Sequence, residues 1–298
     1  MLAVLIGVTG ALIFGVADFA GGMAAKRSSA IRVTAIGGLT GFILLTASLA
    51  FIPGVWSSEA VILGAITGIT GAFSVVLLYS CLAIGPMSIL SPLTAVISAM
   101  VPVLYAVLRG ERLSTLGCVA IVVALVAVVL VGFVPEVGAI RPSLRALAMA
   151  VGSGVLIGVF LILIDLTPRD SGLVPLVVSR FVNAIVLFGA IGIGALLVRM
   201  PRGRQRLALK PSPPGLPAGS WKVGFLLAVA AGVSDAFANS LMLFGIRLGE
   251  LTIQSVLTAL YPAGTIILAA IVLRERITPV QVVGLLLALA AAAMLAIA

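Results

Sequence analysis

The sequence predicts an all-α integral membrane protein, with ten transmembrane helices arranged as two inverted five-helix repeats. Three observations carry that prediction: the composition, a succession of unbroken apolar segments, and a self-similarity at a fixed offset. Of the 298 residues, 62% are hydrophobic and 9% charged. The mean hydropathy of +1.35 is far above what a soluble core of this length requires. A hydrocarbon layer of about 30 Å takes roughly 20 apolar residues per helix. The apolar runs do not alternate with polar residues, which points to helices and away from a barrel.

The first span, 2–22, has no Lys or Arg ahead of its apolar run and reads as a retained helix, not a cleaved signal. It carries Asp18 near its end. The second, 31–52, and the third, 60–83, contain Gly37-x3-Gly41 and Gly64-x3-Gly68, spacings that let helices approach closely. The fourth, 88–108, holds Ser91, Thr94, Ser98 and Tyr105 in helical register, with Pro102 as a kink; the fifth, 114–134, closes a first repeat over residues 1–134. The second repeat, 143–298, opens with the sixth span, 144–165, which contains Gly154-x3-Gly158 and ends in Asp165. The seventh, 173–198, has Arg180 and Asn183 near its start, where the arginine reads as snorkelling to the interface. The eighth, 222–244, has Asp235 near its middle and Asn239 at i+4, on the same face. The ninth, 251–273, carries Gln254, Thr258, Tyr261 and Thr265 as one stripe, with Pro262 as a second kink; the tenth is 278–297.

The repeat is visible residue by residue. Gly85, Ser91, Thr94, Glu111 and Arg112 recur as Gly249, Ser255, Thr258, Glu275 and Arg276, each pair 164 apart. More loosely, Asp18 precedes Arg32 by 14 residues and Asp165 precedes Arg180 by 15. An odd number of spans per unit makes the second copy enter from the opposite face. Inverted repeats of this kind characterise secondary transporters, whose binding site lies at the repeat interface near the midplane. Orientation follows from charge. One side carries 13 Lys and Arg, six of them in the loop from Arg202 to Lys222 and its flank, and the other carries five: Arg109, Arg112, Arg169, Arg180 and Arg247. The positive-inside rule then puts both termini outside.

Several chemistries are excluded. Histidine is absent, which removes His-based triads, His proton relays and imidazole metal ligands. Cys81 and Cys118 stand alone in apolar helices and suggest no metal site or disulfide. No phosphate-binding, zinc or dinucleotide motif occurs. The expected chain is therefore no enzyme, with no cofactor, no metal and no catalytic residue. The net charge of +9 serves topology, and nucleic acid is not an expected partner. The expected partners are a small-molecule substrate, the lipid bilayer, protons and a second copy of the chain. Substrate or proton binding is expected at Asp235, Asn239, Tyr261, Gln254, Thr258, Asp18 and Asp165. Asp235 is favoured for proton coupling, because an ionisable group inside a span is costly and functional by default. Asp18 and Asp165, near the ends of corresponding helices, form an expected gating pair. Each also has an interfacial partner to weigh: Lys26, Arg27 or Arg32 for the first, Arg169 or Arg180 for the second.

Leu260-Tyr261-Pro262-Ala263-Gly264-Thr265, followed by Leu273-Arg274-Glu275-Arg276 and then Gly284, resembles the EamA branch of the drug/metabolite transporter (DMT) superfamily. Ala17-Asp18-Phe19-Ala20-Gly21-Gly22 is similar to a stretch closing the first helix of one subgroup. The first half departs from the pattern, with Ile97-Ser98 where Tyr261-Pro262 stand, and Arg274 replaces a usual glycine. The excess of Arg over Lys and the richness in Ala, Val and Leu point to a bacterial source, hence the inner membrane; the resemblance implies a ten-helix carrier with cytoplasmic termini, against the charge count. It further implies a central cavity lined by helices 1, 3, 4, 6, 8 and 9, and export of amino acids, metabolites or drug-like compounds. An uncoupled facilitator and an intramembrane enzyme acting on lipid-linked substrates are the alternatives.

Overall fold

The computed structural model describes residues 2–84, 87–110, 114–132, 143–199, 220–272 and 278–297. These form helices α1 (Leu2–Ala25), α2 (Ala30–Ser48), α3 (Ser58–Ile84), α4 (Met87–Leu108), α5 (Thr115–Gly132), α6 (Leu144–Asp165), α7 (Val174–Arg199), α8 (Ser220–Leu248), α9 (Leu251–Thr258), α10 (Tyr261–Val272) and α11 (Pro279–Ile297), with a 3-10 turn at Arg169–Ser171. Gly85, Glu111, Arg112, the loop 200–219 and the Arg274–Arg276 turn lie outside the described residues. Seven of the described helices, α1–α4 and α6–α8, are long and apolar enough to cross a bilayer.

Four starts share one device. Ser29, Ser57, Ser114 and Ser143 each accept a hydrogen bond from a first-turn N–H, of Arg32, Ala60, Gly117 and Ala146 at 3.4, 3.1, 2.9 and 3.2 Å. A serine oxygen there satisfies a donor that has no carbonyl inside the helix. The ninth predicted span is not one helix. It breaks at Ala259–Leu260, and Pro262 is the second residue of α10, where its missing N–H costs nothing. Pro102 does not break its helix: α4 runs through it and through Pro92.

Element boundaries repeat at the sequence offset. Ile84, Met87, Leu108 and Thr115 each lie 164 before Leu248, Leu251, Val272 and Pro279, which are corresponding helix ends. Packing comes in matched couples as well. Helix α1 lies along α8 as α6 lies along α3, and α2 along α8 as α7 along α3; α1 also packs on α9 and α10 as α6 packs on α4. Three pairs, α2 with α7, α4 with α9 and α5 with α11, join corresponding helices directly.

The close crossings fall on small residues. A Cβ added at Gly68 would lie 2.5 Å from the Ser179 carbonyl oxygen of α7, and one at Gly154 would lie 2.8 Å from that of Thr94 in α4. Hydroxyls then tie the helices: Ser153 Oγ donates to the Ser74 carbonyl (2.8 Å), Thr94 Oγ1 to Ala150 (3.2 Å) and Thr265 Oγ1 to Gly15 (3.2 Å). Bonds of this kind contribute modestly where the surroundings offer no water. Outward, Leu5, Ile43, Phe73, Val122, Ile185, Leu226 and Leu289 are bare, as expected where the solvent is hydrocarbon.

Candidate functional site

Asp235 sits midway along α8. One turn later Asn239 Nδ2 donates to both its carbonyl oxygen (2.8 Å) and its Oδ1 (3.0 Å). The other carboxylate oxygen, Oδ2, is ion-paired with Nη2 of Arg180 on α7; the two side chains are 22% and 9% exposed. Arg180 therefore does not snorkel to an interface. It is the seventh residue of α7 and points inward because an acid on the facing helix offsets the cost of burying a guanidinium. This also removes it from the charge count, leaving 13 against four.

The wall that receives Arg180 is the glycine stretch of α2. A Cβ at Gly41 would touch Arg180 Cδ at 3.5 Å, and one at Gly38 would lie 2.6 Å from Asn183 Oδ1. At Gly38 a side chain would displace Asn183, whereas at Gly41 a Cβ would make ordinary contact with Arg180. Gly37 meets Gly232 of α8 backbone to backbone. The spacing that reads as generic helix packing is thus the recess itself. A small recess, open at its mouth and of about 20 Å³, is lined from α2 (Thr34, Gly37, Gly38), α3 (Val75, Tyr79), α7 (Arg180) and α8 (Gly232, Asp235). Its lining differs from the set implied by the resemblance, adding α2 and α7 and drawing nothing from α1, α4, α6, α9 or α10.

Asp18 of α1 is not part of this lining. It feels the charge of Asp235, and Tyr79 and Tyr261 feel its own; one turn on, the Tyr79 ring fills the space over Gly21. Among the described residues Asp18 takes part in no hydrogen bond or ion pair. The lysine and arginines weighed as its partners do not reach it. Asp165 is elsewhere. It is the exposed last residue of α6 and feels Arg169 and Arg109, not Arg180. Asp18 stands seven residues short of the end of α1, so the two acids are not at matching depth. The gating-pair expectation fails on that geometry.

The ninth-span stripe is packed inside the bundle. Tyr261 Oη donates to the Ser91 carbonyl of α4 at 3.2 Å. Thr258 is buried, and Gln254, 2% exposed, is wedged between Gly7 of α1 and Gly245 of α8 with its Nε2 unpartnered. None of the three lines the recess. Tyr79, which sequence reasoning passed over, lines it, and Asn183, noted in the sequence beside Arg180, meets its Gly38 wall. A signal existed, since Arg180 and Asn183 at i, i+3 present one polar face inside a long apolar segment, as Asp235 and Asn239 do at i, i+4.

No curated protein matches the chain. Among solved structures 28 chains match. One, a crystal structure described only as that of a protein, aligns over 98% of this chain and 95% of its own, with a TM-score of 0.69 at 19% identity. That is a likeness of fold. The sequence profile of EamA, the EamA-like transporter family, matches residues 144–297, from α6 to α11. With more than half its length so matched, the chain is a multi-pass membrane protein that belongs to the EamA-like transporter family.

Proposed function

We propose that the chain is a secondary carrier of the inner membrane. It exports or exchanges a small metabolite, amino acid or drug-like compound by alternating access between two inverted five-helix halves, in ten spans with α9 and α10 counted as one. The observation that carries this reading is the Arg180–Asp235 pair at the wall of an open recess where α2 and α3 of one half meet α7 and α8 of the other. Ionisable groups inside a span mark solute or ion pathways, and the interface between inverted repeats is where such pathways lie. The matched couples of helix packing support the inverted halves. Each half's first helix leans on the other half's third, so the halves can rock about α2–α7 and α4–α9 and expose the recess to one face at a time.

The test is counterflow. Purified protein in proteoliposomes is preloaded with pooled amino acids, metabolites and amphipathic drugs, and trace radiolabelled uptake is followed. Saturable counterflow of an unchanged solute is expected, weakened by Gly38→Leu, whose side chain fills the recess. Covalent turnover of a lipid with no counterflow would overturn the reading.

A further inference from the structure

Resting on that carrier reading, we infer that the recess seats a neutral hydroxyl group of the cargo, which accepts a hydrogen bond from Arg180 Nε–H and donates one to Asn183 Oδ1. The cargo is therefore an uncharged alcohol or polyol.

Two buried atoms of opposite kind stand unpartnered one turn apart on α7. Arg180 Nε is a donor and Asn183 Oδ1 an acceptor, and neither has a hydrogen-bond partner among the described residues. The two residues are 8% and 1% exposed, and their spacing puts them on one face of the helix. Both meet the same glycine face of α2: a Cβ on Gly41 would stand 3.6 Å from Nε, and one on Gly38 would stand 2.6 Å from Oδ1. Arg180 and Gly38 are walls of the recess. An unpaired polar atom in the interior is costly, and each one calls for an explanation. A donor and an acceptor left open beside one recess are explained together by a visiting group that satisfies both.

Charge and size then select the group. Arg180 and Asp235 neutralise each other at the recess wall, so no net charge awaits a counter-ion. A carboxylate entering there would face Asp235 and Asn183 Oδ1, which only accept. An ammonium would face the guanidinium, which only donates. An apolar group would leave both orphans as they are. A hydroxyl carries a lone pair for Nε–H and a proton for Oδ1 on a single oxygen. The recess of about 20 Å³ has room for about one water-sized group. That is enough for a hydroxyl and too little for an amide, whose donor and acceptor are separate atoms. The recess thus reads one functional group, and the rest of the cargo lies beyond its mouth. Two further walls suit a neighbouring hydroxyl. Tyr79 makes no hydrogen bond among the described residues, and Thr34, whose own proton goes to the Ala30 carbonyl at 2.9 Å, leaves its oxygen to accept.

Saturation-transfer NMR on the full-length protein in nanodiscs reads weak ligands at equilibrium, without flux. The probes are erythritol and sorbitol, beside succinate and adipate and the diammonium forms of diaminobutane and diaminohexane, which are charged counterparts on the same carbon chains. Saturable binding of the polyols alone is expected. Asn183→Leu removes the acceptor, and Arg180→Lys keeps the ion pair with Asp235 while removing Nε–H. Each should raise the dissociation constant of the polyols about tenfold. Gly38→Ala, which leaves the ion pair untouched and displaces Asn183 Oδ1, should act in the same direction. Gel-filtration profiles establish that each variant is folded, and the probe series on the native protein decides the matter if one is not. Preferential binding of the dicarboxylates or diamines, no binding of either polyol, or undiminished polyol binding in the folded variants overturns the inference. The carrier reading fails separately: polyols that bind without counterflow would sink it and leave the hydroxyl site standing, whereas counterflow of charged solutes without polyol binding would sink the site and leave the carrier.

Discussion

Removing one member of the Arg180–Asp235 pair should cost far more than removing both. Asp235→Asn leaves a guanidinium with Nε already unpartnered and Nη2 newly so. For a fully buried pair the loss is about 3–5 kcal/mol. Asp235 is 22% exposed and the recess admits water, so the low end, about 3 kcal/mol, applies. Arg180→Met leaves a carboxylate that keeps the bond from Asn239 to its Oδ1 and can escape by taking a proton; about 2 kcal/mol is expected. The double variant leaves no orphaned charge, and Met occupies the trough over Gly41. Its cost should be about 1–2 kcal/mol, giving a coupling energy near 3 kcal/mol. The assay is reversible unfolding by SDS in mixed micelles, followed by circular dichroism, for the native protein, both single variants and the double. Additive losses, with the double variant as unstable as the singles together, would refute the claim that the two groups neutralise each other.

Two more outcomes follow from the packing and are read by the same unfolding assay. Tyr261→Phe removes the bond to the Ser91 carbonyl and should destabilise by about 1 kcal/mol; no loss would mean the bond has no energetic weight. Gly68→Ala should destabilise by about 1–3 kcal/mol, because its Cβ would press on the Ser179 carbonyl and Val182. Gly189→Ala, on the same helix pair but with nothing within 4 Å, should be neutral or stabilising by about 0.5 kcal/mol. Equal effects would remove close approach as the reason for Gly68.

Much of the helical framework was legible in the sequence because hydropathy reports directly on chain length inside a bilayer. The offset of 164 likewise appears again as helix ends. The break at Ala259–Leu260 was not placed correctly, since a proline was read as a kink at its own position when it acts as the start of the next helix. The site was half legible. Asp235 and Asn239 declare themselves as polar residues mid-span. Arg180 did not, because an arginine two turns from a helix start is satisfied equally well by an interface or by an acid 55 residues later in the chain, and only the fold brings α7 against α8. Asp18 and Asp165 looked equivalent by sequence distance, but α1 extends seven residues past its acid and α6 ends on its own. The glycines of α2 were read correctly as small and incompletely as spacers, since what they accommodate is a side chain as well as a backbone.

That separation of 55 residues also sets a schedule for biogenesis. Ribosomes add about 5–20 residues per second, so Arg180 is synthesised some 3–11 s before its carboxylate. Throughout that interval α7 has no facing α8, and its guanidinium must wait at a lipid headgroup, in a wet insertion channel or with an outside chaperone. α1, with Asp18, waits longer still for the same helix. Completion of α8 is thus the event that allows the Arg180 charge to enter the bundle as one half of a pair. Stalled or truncated chains ending before Asp235 carry an unclaimed cation at the membrane, a mark by which a quality-control protease could tell an unfinished chain from a finished one.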